Sequence, residues 1–245
     1  MRTNGHKVLV TGGSAGIGLA IARELMNENA VAIAGRDQAK LNEAVRDNPS
    51  LHAHVLDVTD QEQARQTMDD VARELGGLSI LVNSAGTITR SDIADADAAA
   101  LAERDLETNF IGSLRMTRLA LPYLREAEDA AIVFLSSVVA IAPAPGYAVY
   151  SATKAAVHSL ARSLRHELSG EIRVFDVLPT WVNTASTKDL AVSKLGPEAV
   201  AHSLRRAMER DRYEVLIGTA GVVALVDRVS PGLADLLVAR ATRSA

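Results

Sequence analysis

The sequence predicts a single α/β domain built on a doubly wound parallel sheet of seven strands. Seven short apolar runs alternate with longer stretches of helical periodicity, and a repeated strand–helix order produces parallel strands with helices on both faces of the sheet. Several runs are apolar almost throughout, as is typical of strands that are covered on both sides. A chain of 245 residues, 48% of them hydrophobic, is large enough to bury such a core. We therefore expect one domain over residues 1–245.

Each predicted strand is a β-branched or apolar run that ends in turn residues. In chain order the runs are Lys7–Thr11, Val31–Gly35, His52–Leu56, Ser79–Asn83, Ala130–Ser136, Ile172–Leu178 and Tyr213–Gly218. The stretches between them place apolar residues three and four positions apart, which predicts helices. In chain order these are Ile17–Glu28, Asp37–Arg46, Asp60–Leu75, Glu103–Arg125, Val149–Leu168 and Pro197–Arg212. Residues 220–245 are expected to form a helical tail.

Composition and charge restrict the partners that the chain can have. The net charge of −4 leaves no basic stripe for phosphates, so we expect no nucleic-acid partner. The absence of cysteine excludes disulfides and thiolate chemistry. The apolar stretch Ala220–Val226 is too short to span a bilayer, and no signal peptide is readable at the N-terminus. We interpret that stretch as a buried or interface helix, and expect a cytoplasmic protein without a membrane partner.

A glycine-rich loop follows the first predicted strand, and ligands of such sheets bind at the carboxyl ends of strands. The loop spans Thr11–Gly18 and leads directly into a helix. Gly12 can take the backbone angles of a tight turn, and Gly16 has no side chain to keep a pyrophosphate from the helix N-terminus. Gly18 lets the helix approach the strand. The loop predicts dinucleotide binding; a purely structural turn is the alternative, and methyltransferases and flavoproteins use related loops.

Tyr150 and Lys154 form a candidate proton-transfer pair. Positions i and i+4 share a helix face, so the ammonium is expected next to the phenol. A phenol with a reference pKa of about 10 is a poor base, and a nearby cation lowers its pKa toward the working range. The alternative is an ordinary pair on a solvated helix face. Tyr147 has Ser151 rather than a lysine four residues later, so we interpret it as a pocket-wall or structural residue.

Two more polar candidates lie near this pair in the predicted fold. Ser136 and Ser137 end a predicted strand, where a hydroxyl can stabilise charge on a substrate oxygen. Since neighbouring strand residues face opposite ways, we expect one of the two to point into the site. Asn109 lies within a predicted helix, although asparagine is a poor residue for a helix interior. A plain surface asparagine is the alternative.

The combined pattern resembles the short-chain dehydrogenase/reductase family, over roughly residues 5–190. The glycine spacing is that of this family, wider than the usual dinucleotide fingerprint. Matching segments follow in order: Asp57-Val58, Asn83-Ser84-Ala85-Gly86, Asn109, Ser137, Tyr150-Ser151-Ala152-Thr153-Lys154 and Pro179-Thr180-Trp181-Val182-Asn183-Thr184. Ser84 replaces a usual asparagine and Thr180 a usual glycine. The N-terminal half and Ser230–Asp235 are similar to a bacterial branch named for lipoteichoic-acid D-alanylation.

The resemblance implies a Rossmann-type, NAD(P)(H)-dependent oxidoreductase that interconverts a carbonyl and a secondary alcohol. Tyr150 would be the general acid/base, and the family spacing favours Ser137 over Ser136. Lys154 would also bind the nicotinamide ribose, while Asn109 would bend its helix and carry a water-linked proton relay. The implied cofactor-binding residues are Gly12, Ser14, Gly16, Ile17, Gly18, Arg36, Asp57, Val58, Asn83, Ala85, Gly86, Tyr150, Lys154, Pro179, Val182 and Thr184. A homodimer or homotetramer through the helices Glu103–Arg125 and Val149–Leu168 is implied as well.

Arg36 carries the prediction of which dinucleotide binds. In such folds an acidic residue at the end of the second strand binds the ribose 2′-hydroxyl of NAD. Arg36 stands at that position, and its guanidinium can bind a 2′-phosphate. Ser14 could add a hydroxyl donor, while Asp37 is better explained as the first residue of the next helix. We expect NADP(H) to be preferred and NAD(H) to be possible; the alternative is that Arg36 only stacks on adenine and tolerates either cofactor.

Residues 185–212 correspond to the variable substrate lid of the resembling family. The apolar residues Trp181, Leu190, Val192 and Leu195 favour an apolar or mixed carbonyl or alcohol substrate. His52 and His54 alternate on a predicted strand without a third ligand at a supporting spacing, so we expect no metal.

Two other classes of function remain as alternatives to an enzyme of this kind. One is a catalytically silent NADP(H)-binding regulatory protein, which would have no need of the Tyr150–Lys154 pair. The other is a methyltransferase, which would bind adenosylmethionine and would not use that pair either. We therefore favour an active oxidoreductase that acts on a small molecule.

Overall fold

Seven parallel strands form one sheet in a computed structural model that describes residues 1–188 and 193–243. The strands are β1 Lys7–Thr11, β2 Ala30–Gly35, β3 Leu51–Val55, β4 Ile80–Asn83, β5 Ala130–Leu135, β6 Ile172–Pro179 and β7 Glu214–Ile217. Their order across the sheet is β3-β2-β1-β4-β5-β6-β7, and every neighbouring pair is parallel. The predicted doubly wound sheet is thus confirmed. The strand order reverses between β1 and β4, where a ligand crevice is expected.

The helices alternate with the strands, as the periodicity predicts. They are α1 Gly16–Leu25, α2 Gln38–Asp47, α3 Gln61–Leu75, α4 Ala98–Leu106, α5 Gly112–Arg125, α6 Ala148–Glu167, α7 Pro197–Glu209, α8 Ala220–Val229 and α9 Pro231–Arg243. The stretch predicted as helical, Glu103–Arg125, is helical, with an irregular turn around Asn109, where the resemblance implied a bend. The helix begins earlier, and a π-helical turn at Glu107–Ile111 separates α4 from α5. Single π turns inside α-helices often occur at functional sites.

Two apolar layers cover the two faces of the sheet. On one face α1 and α7 pack together, with Ile21, Leu25, Leu204 and Met208 buried against the strands. On the other face α3, α5 and α6 bury Met68, Met116 and Val157. Fully burying a side chain of this size contributes about 2 kcal/mol. The sheet is therefore fixed from both sides, and the carboxyl ends of its strands form a rigid edge.

The segment after β6 and the C-terminal helices adjoin that edge. The lid predicted over residues 185–212 includes α7, a core helix, while Leu190 and Val192 lie outside the described residues. Ala220 and Val223 of α8 and Ala234 of α9 are buried against Val138–Ala144, whereas Val229 is 83% exposed. No helix in the described ranges is long and apolar enough to cross a membrane.

Candidate active site

A continuous groove crosses the carboxyl edge of the sheet. One cavity of about 250 Å³ lies between the glycine loop and the start of α6, with Tyr150 and Lys154 in its wall. A second cavity of about 240 Å³ extends from the same loop to Arg36. Gly12 and Gly86 line both cavities, so the two join into one groove. Its position matches the reversal of strand order between β1 and β4.

The glycine loop brings backbone groups together where a side chain would not fit. Gly12 has a φ of 65°, and a Cβ atom there would lie 2.8 Å from the Ala85 nitrogen. A Cβ atom on Gly18 would overlap the carbonyl oxygen of Gly12. Ala15, the N-cap of α1, provides no side-chain hydrogen bond to the first turn, and that turn holds no acidic residue. The N–H groups at the start of α1 therefore face the groove without a side-chain cap among the described residues, as an anion-binding helix end requires.

The far end of the groove carries two basic side chains. The Arg36 guanidinium is 60% exposed and lies 3.9 Å from Asp57 Oδ2. Ser14 lies directly over Gly35, beside Arg36 in the cavity wall. Lys40 lines the same cavity from the first turn of α2, which the sequence reasoning missed. One feature of the sequence indicates this position. Lys40 stands four residues after Arg36, in the first turn of the helix that follows it.

Asp37 caps α2, as the sequence reasoning proposed. Its carboxylate accepts hydrogen bonds from the backbone nitrogens of Ala39 at 3.0 Å and Lys40 at 3.2 Å. The hydrogen bond from Lys40 lowers the pKa of Asp37 below its ordinary value. The acidic side chain next to Arg36 is therefore committed to the helix end rather than to the groove.

Asp57 and Val58 lie in the wall of the groove, and Asn83 ends β4 just before the lining residues Ser84 and Gly86. Asp57 Oδ1 accepts hydrogen bonds from the nitrogen and hydroxyl of Thr59, and Val58 is buried in the wall. Asn83 Nδ2 donates to Thr117 Oγ1 at 3.0 Å, while its buried Oδ1 has no hydrogen-bond partner among the described residues. Such an orphaned acceptor is uncommon in a folded protein.

Thr11 and Gly86 connect the loop after β4 to both ends of the groove. Thr11 Oγ1 accepts hydrogen bonds from the nitrogens of Ser84 and Ala85, each at 3.2 Å. A Cβ atom on Gly86 would lie 3.0 Å from Asn109 Oδ1 and 3.7 Å from Lys154 Nζ. The loop thus passes directly between the glycine-rich end of the groove and the lysine.

Tyr150 lies at the start of α6, and only 6% of the residue is exposed. Burial raises the pKa of its phenol, Asp105 raises it further, and a hydrogen bond with Ser137 lowers it. The i, i+4 spacing predicts that the lysine lowers this pKa. In the protein by itself burial dominates, because desolvation disfavours a phenolate. The Tyr150 hydroxyl is consequently protonated at neutral pH.

Lys154 is buried one turn further along α6. Its Nζ atom donates to the Leu135 carbonyl oxygen at 2.7 Å and lies 5.7 Å from the centroid of the Tyr150 ring. Burial lowers the pKa of Lys154 to about 8, although Asp176 and Asp105 each act to raise it. The pair therefore shares one helix face as expected, with the ammonium over the ring rather than bonded to the hydroxyl.

The two adjacent serines after β5 have different partners. Ser137 Oγ accepts from the Val139 nitrogen at 3.3 Å, and Ser137 acts to lower the pKa of Tyr150. Ser136 Oγ donates to the buried carboxylate of Asp176 on β6. Ser137 therefore lies on the side of the tyrosine and Ser136 on the side of Asp176, and both serines contribute to the wall of the cavity, where one was expected.

Asn109 lies in the π-helical turn and is almost fully buried. Its Oδ1 accepts from the Thr87 nitrogen at 2.7 Å, and its Nδ2 donates to the Thr87 carbonyl and to Thr153 Oγ1, each at 3.0 Å. The side chain thus ties the loop after β4 to α6, within one turn of Lys154. The surface-asparagine alternative is wrong, since this amide has fixed partners in the interior.

The segment after β6 closes the groove from the other side. Thr180 donates from its backbone nitrogen to Ile217, and a Cβ atom on Gly218 would lie 2.5 Å from Thr180 Oγ1. Gly218 thus provides the room for a threonine in place of the usual glycine. Thr184 Cγ2 lies 3.2 Å from the position of a Cβ atom on Gly16, so this residue covers the glycine loop.

The substrate end of the groove has aromatic and aliphatic walls. Pro179, Trp181 and Val182 line the cavity with Ile88. The Trp181 ring packs against the buried Tyr147 ring at a centroid distance of 5.7 Å. Leu195 pairs with Val182 in an isolated bridge, which anchors the end of this wall.

His52 and His54 lie on β3, outside the lining of both cavities, and share one partner. His52 Nδ1 lies 2.7 Å from Glu74 Oε1, and His54 Nε2 lies 2.8 Å from Glu74 Oε2. These two histidines lower the pKa of the Glu74 carboxyl, although its partial burial opposes the shift. The residues of the described ranges include no group of three or more side chains placed to hold a metal ion.

The sheet and the groove at its switch point define a nucleotide-binding oxidoreductase with a Rossmann fold. The family model described as short chain dehydrogenase matches residues 6–195, and the chain belongs to this family. The uncharacterized oxidoreductase DltE of Bacillus subtilis (strain 168) is 37% identical over 187 residues, which cover 75% of this chain and 74% of that protein. This match confirms the expected similarity to the branch named for lipoteichoic-acid D-alanylation.

Other relatives and solved structures agree with this assignment. The 3-oxoacyl-(acyl-carrier-protein) reductase FabG of Thermotoga maritima is 34% identical over 200 residues, 78% of this chain and 79% of that protein. A short chain dehydrogenase from Burkholderia cenocepacia J2315, solved in complex with NADP, has a TM-score of 0.86 and 24% identity over 97% of this chain and 99% of its own. A short chain dehydrogenase/reductase from Burkholderia phymatum, solved in complex with NAD, has a TM-score of 0.82 and 21% identity over 92% of this chain and 93% of its own. These structures share the fold.

Proposed function

We propose that this protein reduces a carbonyl group to a secondary alcohol with NADPH, and that Tyr150 donates the proton. One observation carries the proposal: a buried, protonated tyrosine hydroxyl shares with Ser137 the wall of a groove that begins at a glycine loop. A phenol whose pKa is raised holds its proton until a substrate oxygen accepts it. The protonated hydroxyl is the form that carbonyl reduction uses.

The residues of the groove fit a nicotinamide dinucleotide. A side chain at Gly12 or Gly18 would collide with the backbone of the glycine loop and its neighbours. The uncapped start of α1 offers backbone N–H donors to a pyrophosphate. Thr184 covers the loop from the opposite wall. The bound structural relatives, which hold NADP in one case and NAD in another, are consistent with this assignment.

The residues at the far end of the groove support a preference for NADPH over NADH. Arg36 and Lys40 provide two cations, and Ser14 provides a hydroxyl donor in the same cavity. Asp57 is the acidic side chain nearest to Arg36 there, with its Oδ1 already held by Thr59. A 2′-phosphate in this cavity would meet charge-assisted donors, whereas a 2′-hydroxyl would gain little from them.

Proton transfer is assigned to the residues around the substrate end. The reduced nicotinamide supplies the hydride when it is bound. Ser137 holds the substrate oxygen, and Tyr150 transfers its hydroxyl proton to that oxygen as negative charge develops on it. Lys154 then stabilises the phenolate that remains, because its ammonium lies over the same ring. Asn109 positions this machinery through Thr153 rather than by contact with substrate.

The walls of the cavity favour a carbonyl compound with apolar substituents. Ile88, Trp181 and Val182 supply aliphatic and aromatic surface around the Tyr150 hydroxyl. Lys154 is the charged residue in that wall within the described ranges, and its ammonium is bonded to Leu135. A multiply charged substrate would find no second charge there to balance it.

The test is a spectrophotometric screen of purified protein with NADPH against aliphatic, aromatic and steroid-like ketones. We expect turnover of at least one ketone, and at least a hundredfold lower kcat in Tyr150→Phe with NADPH binding within a few-fold of wild type. The matched control is Tyr123→Phe, a hydroxyl that donates to Asp69 on the outside of the fold. It should leave kcat unchanged.

Either of two results would overturn the proposal. A Tyr150→Phe variant as active as Tyr123→Phe would remove the tyrosine from the mechanism. NADPH binding by the wild type without turnover of any ketone or alcohol would instead identify a cofactor-binding regulatory protein.

A further inference from the structure

A buried carboxylate network lies near the lysine, between the end of β5, β6 and α6. Asp176 on β6 is fully buried, and both of its oxygens are occupied. Ser136 Oγ donates to Oδ1, and His158 Nδ1 lies 2.5 Å from Oδ2. An ionised carboxylate can only accept hydrogen bonds, so both partners act as donors when Asp176 is charged. The proposed proton transfer makes no direct use of these three residues.

Two chain connections join this network to Lys154. Ser136 directly follows Leu135, whose carbonyl oxygen accepts the hydrogen bond from Lys154 Nζ. His158 follows Lys154 by one turn of α6, so the two side chains share a helix face. Asp176 is therefore joined to the surroundings of the lysine through the end of β5 and through α6.

The charge balance explains why a carboxylate is needed there. Burial alone acts to remove the proton of Lys154, and Asp176 is the largest opposing influence, followed by Asp105. Asp105 is also fully buried and accepts hydrogen bonds from Thr87 and Thr89. An ammonium buried with no carboxylate nearby loses its proton at neutral pH rather than remaining charged.

We propose that Asp176 is a positioning residue that keeps Lys154 protonated beside Tyr150, with Ser136 and His158 holding the Asp176 side chain in place. The catalytic meaning of this charge rests on the proposed function. The charge itself does not, because the protonation of Lys154 can be measured without any turnover.

The surroundings of the lysine offer few other charges. Tyr150 and His158 share α6 with it, Asp105 faces it from α4, and Asp176 faces it from β6. On β7, Glu214 is the register partner of Asp176 and is partly exposed. On β5 the register partner of Asp176 is the uncharged Phe134. Glu214 is thus a nearby acid that has no resolved influence on the lysine, and it provides a matched control.

The experiment is an NMR titration of protein labelled with ¹³C at the lysine ε-carbon. The chain has five lysines, at positions 7, 40, 154, 188 and 194, so five signals are expected. The signal of Lys154 is identified as the one missing from Lys154→Arg. Its midpoint is then measured in wild type, Asp176→Asn, Asp105→Asn and Glu214→Gln. Asparagine keeps the size of aspartate and removes its charge.

We expect Asp176→Asn to lower the Lys154 midpoint by at least about one pH unit, as loss of a close opposite charge does. Asp105→Asn should lower it by less, and Glu214→Gln should not change it. A folded Asp176→Asn protein with an unchanged midpoint would overturn the proposal. If Asp176→Asn does not fold, Ser136→Ala and His158→Asn replace it, and unchanged midpoints in both of these variants would overturn it equally.

Turnover separates this proposal from the proposed function. In an active enzyme, the alkaline loss of kcat in Asp176→Asn should move to lower pH together with the lysine midpoint. A shifted midpoint in a protein that reduces no ketone would support the role of Asp176 and contradict the proposed function. Normal turnover with an unshifted midpoint would support the proposed function and contradict the role of Asp176.

Discussion

At the Gly12–Gly18 end of the groove, backbone atoms approach each other because side chains are absent, whereas at the Tyr150–Lys154 end buried side chains carry the protons and the charge. The first end tolerates almost no added atoms, since a single Cβ at Gly18 overlaps a backbone carbonyl. The second end has room for a cavity, yet burial displaces the pKa values of both residues. The two ends should therefore fail in different ways, one to added volume and the other to altered charge.

The largest effect should come from added volume at the glycine end. In Gly18→Ala the new methyl group meets the Gly12 carbonyl, which belongs to a fixed backbone and cannot move aside cheaply. We expect a loss of about 3 kcal/mol in the free energy of unfolding, and weakened NADPH binding because the start of α1 is displaced. Urea unfolding and calorimetric titration with NADPH measure the two effects.

Gly221→Ala is the matched control for that substitution. Gly221 lies in α8, and a Cβ atom there has no neighbour within 4 Å. A helical glycine replaced by alanine in open space should stabilise the protein by about 0.5–1 kcal/mol. If both variants behaved alike, steric exclusion would not be what the glycine loop requires.

The next effect should come from altered charge at the proton-transfer end. The pKa of Lys154 falls from 10.5 in an unfolded chain to about 8 in the folded protein. Between these pH values the unfolded chain binds more protons than the folded protein, so the free energy of unfolding rises with pH. The destabilisation caused by burying the charged ammonium is fully present below pH 8 and absent above pH 10.5. The side chain of Lys154→Met cannot titrate. Relative to this variant, the free energy of unfolding of the wild type should rise by about 2 kcal/mol between pH 7 and about 9.5.

Urea unfolding of both proteins across this pH range provides the measurement. Tyr150, whose pKa is raised, makes the opposite contribution only above about pH 10, where an unfolded tyrosine ionises. It is present in both proteins, so its contribution cancels in the comparison. A stability difference that stayed flat with pH would show that Lys154 keeps its ordinary pKa.

The smallest effect should come from Arg36, at the exposed far end of the groove. Arg36 is 60% exposed, so each of its contacts with a phosphate competes with water. We expect Arg36→Ala to lower kcat/KM for NADPH about tenfold and to leave kcat/KM for NADH nearly unchanged. Lys40→Ala should show the same pattern with a smaller loss. Equal losses with both cofactors would mean that Arg36 only stacks on adenine.

Much of this molecule was predictable from local pattern. The strand ends, the glycine loop and the Tyr150–Lys154 spacing are all properties of neighbouring residues, and the sheet and the family were confirmed. The resemblance implied a bend at Asn109, but local pattern predicted neither the π-helical turn nor its cause, because the amide bonds Thr87 and Thr153, which are 22 and 44 residues away. No periodicity within the helix records those contacts.

The sequence by itself determined which elements form and which polar residues end the strands, since side-chain alternation and i, i+4 spacing follow from backbone geometry alone. The tertiary structure decided what each of these residues faces. It brought Lys40 beside Arg36, made room for Thr180 at Gly218, and raised the pKa of Tyr150 where the helical pair alone implied a decrease. Solvent exclusion and charges from distant strands set the energies of a buried site, and both exist only once the sheet and its helical layers have closed around it.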